Sequence, residues 1–172
     1  MRKKGWAGWE LERIICGRFG GGWIVTRLRR WLIGTQVSES RAKLREYKSD
    51  PVGEENRRLA ARQFAIDAAR LAAATHCRNV VVLDVTGVSP VTDFFVIATG
   101  TSPRQMRSVC DEIEEMGSPR GYRSLSKSGY GGDHWILVDF VDAVVHLFNE
   151  EARAYYDLDN LWGDAKRVEW QA

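Results

Sequence analysis

Two apolar, β-branched runs stand close together in the middle of the chain, over residues 79–85 and 93–99. The seven residues between them include Gly87 and Pro90, which suit a turn. A crossover helix does not fit into so short a connection. The two runs therefore predict adjacent antiparallel strands, and the apolar character of the first predicts that it is buried in the centre of a sheet.

Helical periodicity is found on both sides of these runs. Residues 54–76 are rich in alanine and place apolar side chains such as Phe64 at steps of three and four. This pattern favours a helix packed on a sheet over an RNA-binding helix. A second helix is predicted to begin with Ser102 as its N-cap and Pro103 in its first turn, and to end at Gly117.

The last third of the chain adds two more apolar runs, over residues 134–139 and 144–148. Val141 and Asp142 suit a tight turn between them, which predicts a β-hairpin. Residues 126–133 contain three glycines and are interpreted as a flexible loop or hairpin tip. The elements together predict an α/β fold with a single mixed β-sheet of about five strands flanked by helices.

Charge divides the chain into two parts, although its 172 residues suit one domain. Residues 1–50 carry 12 Lys and Arg against 5 Asp and Glu, and the remainder carries 13 against 18. We interpret residues 1–53 as a basic, disordered N-terminal extension and linker, and residues 54–172 as the folded domain. The extension is either dispensable or wrongly started, or else a flexible basic arm or targeting segment. If it is an RNA-binding arm, the function of the chain lies in these residues.

Cysteine spacing and hydropathy restrict the cellular location. Cys16, Cys77 and Cys110 stand far apart without a CxxC pair, so neither a zinc site nor a disulfide framework is indicated. No apolar run approaches the ~20 residues that cross a bilayer. We expect a cytoplasmic protein that does not bind membranes.

The turn at residues 100–102 is the main candidate for catalysis, because a helix N-terminus can hold an anion and nucleotidyltransferases place a Gly-Ser pair there. That chemistry also needs two carboxylates one residue apart to hold Mg²⁺, whereas Asp139 and Asp142 lie three apart. Cys110 with His134 or His146 is a weaker candidate for a nucleophile and base, since Cys110 falls on an apolar helix face. We expect no catalytic residues, no metal and no cofactor, with a nucleotidyltransferase-like enzyme as the alternative function.

Aromatic side chains are concentrated in the last third of the chain, which is typical of interface hot spots. The alternative is that Trp135 and Trp162 simply fill the core, and the sequence does not decide between the two. The candidate partner-binding residues are Trp135, Asp139, His146, Phe148, Tyr156 and Trp162.

Six short motifs in a fixed order resemble the ribosomal silencing factor family, also called RsfS or Iojap. They are DVT at 84–86, TDFFVIATGTSPRQ at 92–105, WILVD at 135–139, VVHLF at 144–148, RAYY at 153–156 and LDNLW at 158–162. The resemblance covers about residues 54–168, so the basic extension lies outside it.

The resemblance implies a compact α/β domain that is similar to nucleotidyltransferases but has no known enzymatic activity. It implies a translation repressor that binds the large ribosomal subunit through protein uL-fourteen and sterically blocks association with the small subunit. It also implies that a homodimer can form. Because the domain has more acidic than basic residues, it would repel phosphates, and we expect no direct readout of nucleic acid.

Overall fold

The structure, a computed structural model, describes residues 51–171, so the predicted N-terminal extension over residues 1–50 lies outside it. This part of the chain contains four α-helices, one short 3-10 turn and six strands. In order they are α1 (Pro51–Ala74), β1 (Arg78–Asp84), β2 (Phe94–Thr99), α2 (Pro103–Gly117), a 3-10 turn (Ser118–Arg120), β3 (Ser126–Ser128), β4 (Trp135–Asp139), β5 (Ala143–Phe148), α3 (Glu150–Tyr156), α4 (Leu158–Leu161) and β6 (Lys166–Arg167).

The strands form one six-stranded mixed sheet in the order β3-β4-β5-β2-β1-β6. β2 and β5 pair in parallel, with Phe94 opposite Ala143 and Thr99 opposite Phe148, and every other neighbouring pair is antiparallel. The predicted α/β fold with a single mixed sheet is confirmed. So are the antiparallel β1–β2 pair and the β4–β5 hairpin.

Helix α1 begins at Pro51, three residues before the predicted start, so residues 51–53 are helical and not linker. Proline is favoured at a helix start because its missing N–H would have no partner there. Five of the helix's alanines are fully buried together with Phe64, and their small side chains let the helix axis lie close to the sheet. Leu59 is 60 % exposed and does not join this core.

The sheet has an apolar core on each face. The first lies under α1 and α2 and includes Phe64, Val96 and Met106. The second lies on the opposite face, where α3 and α4 contribute Ala152 and Leu158. The parallel strands β2 and β5 are buried along their whole length, because both of their faces are covered and both of their edges are paired.

The expected central burial of β1 is wrong for its first half. Arg78 and Asn79 are exposed, and the next two residues are only half-buried. The cause is the two-residue strand β6, which pairs only with Leu83 and Asp84 and leaves the beginning of β1 at the rim of the sheet.

Local signals set the ends of the other elements. Ser102 caps α2 as predicted, since its Oγ accepts the Gln105 backbone N–H at 3.2 Å. Residues 126–128, interpreted as loop, form the edge strand β3. Gly129 follows with φ +73°, and a Cβ there would lie 1.9 Å from the Trp135 carbonyl oxygen, so this position requires glycine. None of the helices within residues 51–171 is long and apolar enough to span a bilayer.

Candidate functional site

A chain of ring contacts crosses the sheet face opposite α1 and α2. Five of the six predicted partner-binding residues take part in it, and Phe95 joins them. We call this group the aromatic face, and its members are Phe95, Trp135, His146, Phe148, Tyr156 and Trp162.

Trp135 is the hub of the aromatic face. It stands directly opposite Phe148 in the β4–β5 hairpin, and their ring centroids are 4.9 Å apart. Tyr156 packs on the same indole at 4.8 Å, and His146 lies 5.7 Å away. Aromatic pairs at such distances are stabilised by about 0.5–1.5 kcal/mol each beyond the area that they bury.

Phe95 extends the face from β5 onto β2. Its ring centroid lies 5.2 Å from His146 in an edge-on arrangement and 5.1 Å from Trp162. The sequence reasoning missed Phe95, because Phe94 and Phe95 adjoin in one apolar run and only the tertiary structure shows which of the two lies on this face. The period of two along β2 is the signal that would have separated them.

Two polar contacts order the segment of α3 and α4, which lies over the sheet. Asn149 caps α3 by accepting the Ala152 N–H at 2.8 Å. Arg153 donates two hydrogen bonds to the Asp159 carboxylate, at 2.9 and 3.1 Å, across the turn at Asp157. This paired geometry fixes α3 relative to α4, and so places Tyr156 and Trp162 on the strands.

Exposure divides the aromatic face into a floor and a surface. Phe148 is fully buried and His146 is 6 % exposed, so both form the floor. Trp135, Tyr156 and Trp162 are half-buried. These rings therefore pack against the core and also present part of their area to solvent, and their contact with a partner stays a prediction.

His146 is held neutral inside this cluster. Burial lowers its pKa to about 3, with the positive charge of Arg153 as a second cause. Both of its ring nitrogens and Trp135 Nε1 are buried and have no hydrogen-bond partner among residues 51–171. The imidazole therefore contributes ring area to the face and no positive charge.

Asp139 lies away from the aromatic face although it shares the strand with Trp135. It stands at the other end of β4, four residues on, or about 13 Å at ~3.3 Å per residue. Its carboxylate accepts the Val141 N–H at 2.8 Å, and Val141 has φ +74°. Asp139 thus stabilises the hairpin turn; its contact with a partner stays a prediction.

The carboxylates and the turn at residues 100–102 do not form one site. The Gly100 N–H donates to the Phe148 carbonyl at the end of β5, so the turn lies beside the last residue of β2. The Asp142 carbonyl accepts the N–H of Phe94, the first residue of β2. The two ends of this six-residue strand are about 16 Å apart. Gln105 Oε1 also accepts the Thr101 N–H at 2.6 Å, which occupies a donor that a phosphate would need. The geometry therefore matches a capped helix.

Cys110 lies on the other side of the sheet from His146, in the core under α1 and α2. Burial raises the pKa of its thiol to about 11. Its Sγ and the carboxylates of Asp111 and Glu114 lie within 4.8 Å of one another, a spacing that suits a metal. The Lys127 ammonium contacts both carboxylates, at 3.4 Å from Asp111, and thus stands where a cation would bind.

Comparison with known proteins gives one consistent family. Residues 58–172 match the family described as ribosomal silencing factor during starvation. "Ribosomal silencing factor RsfS" of Halalkalibacterium halodurans is 40 % identical over 91 residues, which are 53 % of this chain and 78 % of that protein. The protein of the same name from Bacillus subtilis is 38 % identical over 87 residues, or 51 % of this chain and 74 % of that protein.

The solved structures agree with the sequences. A crystal structure of a Bacillus halodurans protein superposes with a TM-score of 0.52 and 34 % sequence identity, and covers 62 % of this chain and 94 % of that one. The matched part of the chain contains the whole aromatic face.

Proposed function

The chain belongs to the ribosomal silencing factor family, and from this premise we propose that it represses translation by obstructing the ribosome. The proposed partner is the large ribosomal subunit, contacted through protein uL-fourteen, and the proposed effect is steric exclusion of the small subunit. The observation that carries this is the aromatic face with its half-buried rings of Trp135, Tyr156 and Trp162.

The aromatic face has the properties of a preformed protein-binding surface. Its rings stand on hydrogen-bonded strands and on a helix that the Arg153–Asp159 pair holds in place. Side chains that are already ordered lose little conformational entropy on binding. Trp and Tyr are also the residue types that contribute most to binding at such surfaces.

Charge supports a basic protein as the partner. Residues 51–172 hold 13 Lys and Arg against 18 Asp and Glu, so this part of the chain is acidic. A ribosomal protein with a positive surface would be attracted to it, whereas the phosphates of ribosomal RNA would be repelled.

Co-sedimentation of the full chain with purified large subunits tests the surface. We expect Tyr156→Ala and Trp162→Ala to weaken co-sedimentation strongly, because each removes a half-buried ring from the surface. Trp135→Ala should abolish it, but that change also opens a space above Phe148 and needs a check of folding by circular dichroism. Leu59→Ala is the matched control, since Leu59 is 60 % exposed on α1 and away from the face.

Mixing large and small subunits with and without an excess of the chain tests the steric effect. Joined ribosomes should decrease with the wild type and with Leu59→Ala, and should be retained with Tyr156→Ala. Equal joining in every mixture would show that the chain does not obstruct the subunits. Wild-type co-sedimentation of Tyr156→Ala and Trp162→Ala would remove the aromatic face from the proposal.

We also propose that the chain acts in the cytoplasm and forms homodimers in the absence of ribosomes, in competition with ribosome binding. Sedimentation velocity over a range of protein concentrations should then show a monomer–dimer equilibrium. A single monomeric species at every concentration would refute the dimer.

A further inference from the structure

A cavity of about 450 Å³ lies beside the aromatic face, between α3 and the strands β1 and β2. Its volume falls within the range of pockets that hold small molecules. Thr99 at the end of β2, Arg153 on α3 and Arg167 on β6 line it, together with apolar atoms of Val81 and Ala154.

The position of the cavity in the sheet is one where α/β proteins often bind ligands. The chain leaves β2 into α2, which packs on the first core, and leaves the parallel strand β5 into α3, which packs on the opposite core. A crevice opens where two neighbouring parallel strands send their helices to opposite faces, at the carboxyl ends of the strands. Thr99 stands at that end of β2.

Two buried polar atoms of residues that line the cavity lack hydrogen-bond partners among the described residues, Thr99 Oγ1 and Arg153 Nη1. Thr99 is only 3 % exposed. The other nitrogens of Arg153 are engaged by Asp159 and by the Asn79 carbonyl at 3.2 Å, so Nη1 is the donor left over. A buried donor without an acceptor is unfavourable, and an acceptor on a ligand would supply the missing hydrogen bond.

The charges around the cavity determine which kind of acceptor fits. The lining contains two positive groups, Arg153 and Arg167, and three carboxylates, those of Glu150, Asp157 and Asp159. This lining would repel a ligand with several negative charges, such as a nucleoside triphosphate. A single carboxylate that is accompanied by a positive group matches both signs of charge.

We propose that this cavity binds a small zwitterion of the α-amino acid class. The ligand carboxylate accepts hydrogen bonds from Arg153 and Thr99 and lies toward the positive charge of Arg167, while its ammonium group lies toward Glu150 and Asp157. The walls of Val81 and Ala154 receive its side chain. Because Arg153 and Tyr156 share the same short helix, an occupant of the cavity also stabilises the segment that carries part of the aromatic face.

Nuclear magnetic resonance titration of the full chain tests the proposal without ribosomes, so its result is separate from that of the ribosome experiments. The probes are the proteinogenic L-amino acids, added one at a time to about 10 mM, a range in which weak binding is measurable. We expect at least one of them to cause saturable shifts in the backbone amides of Val81, Thr99 and Ala154.

The variants Thr99→Val and Arg167→Gln identify the cavity as the site. Thr99→Val keeps the shape of the side chain and removes the hydroxyl, while Arg167→Gln removes an exposed charge. Each should weaken binding about tenfold or more, as expected for a lost hydrogen bond or charge pair. Arg120→Gln is the control, because Arg120 pairs with Asp67 far from the cavity.

Acetate and ethylamine test the zwitterionic class, since each carries only one of the two charges. Both should bind at least about tenfold more weakly than the amino acid that binds. The proposal is overturned if no amino acid gives saturable shifts, if the two cavity variants bind as well as the wild type, or if acetate binds equally well.

Discussion

Replacement of His146 by phenylalanine tests whether a neutral imidazole is enclosed in the aromatic face. Burial lowers the pKa of His146 from 6.5 to about 3 in the folded chain. The unfolded chain takes up the proton near pH 6.5, and the folded chain does so only near pH 3. Between these values the unfolded state holds one more proton, so this residue makes the protein less stable as the pH falls.

The magnitude follows from the shift. A pH of 4.5 is two units below the pKa of His146 in the unfolded chain and still above its pKa in the folded chain. Each of these units changes the free energy of unfolding by about 1.4 kcal/mol. His146 therefore lowers the free energy of unfolding by about 2.7 kcal/mol between pH 7.5 and pH 4.5. Phenylalanine has no such proton and also removes two buried nitrogens that lack partners.

Urea unfolding of the wild type and of His146→Phe at pH 7.5, 6.0 and 4.5 measures this effect. The stability of the variant relative to the wild type should increase by about 2–3 kcal/mol from the highest pH to the lowest, whatever its value at neutral pH. The carboxylates titrate in both proteins and cancel in the comparison. His134→Phe is the control, because His134 is exposed. A constant stability difference across the pH range would refute the claim that His146 is buried and neutral.

Three further changes test the parts of the fold that position the face. Gly129→Ala should destabilise the chain by about 2 kcal/mol or more, because its Cβ would meet the Trp135 carbonyl oxygen and its φ is +73°. Ser102→Ala should lower the free energy of unfolding by about 1 kcal/mol through loss of the α2 N-cap. Arg153→Lys should cost about 1–2 kcal/mol, since an ammonium group cannot form the paired hydrogen bonds to its aspartate partner.

Urea unfolding at neutral pH measures all three changes. Gly131→Ala is the control for the first, because nothing lies within 4 Å of the added Cβ and it should be tolerated. Equal stability of the two alanine variants would contradict the close approach at Gly129. Ser102→Asp should retain the cap, so a loss equal to that of Ser102→Ala would argue against capping. Unchanged stability of Arg153→Lys would show that the paired geometry is not needed.

Much of the fold was predictable because its signals are local. The Ser102–Pro103 pair specified the start of α2, and the short connections specified which strands pair as antiparallel neighbours. The candidate site was predictable as a set of aromatic residues, and five of its six members were identified before the fold was known. The start of α1 at Pro51 was not predicted, because proline both ends linkers and begins helices.

Long-range pairing decided the rest. The sequence by itself determined the helices α1 and α2 and the strands β1, β2, β4 and β5, since propensity and hydrogen bonding act over a few residues. The parallel pairing of β2 with β5, the two-residue strand β6, the burial of His146 and the place of Phe95 depended on the tertiary structure. Register between distant strands is set by how all the side chains on two sheet faces pack at once, and a shift of one residue exchanges those faces. The pattern of a few neighbouring residues therefore does not determine this packing.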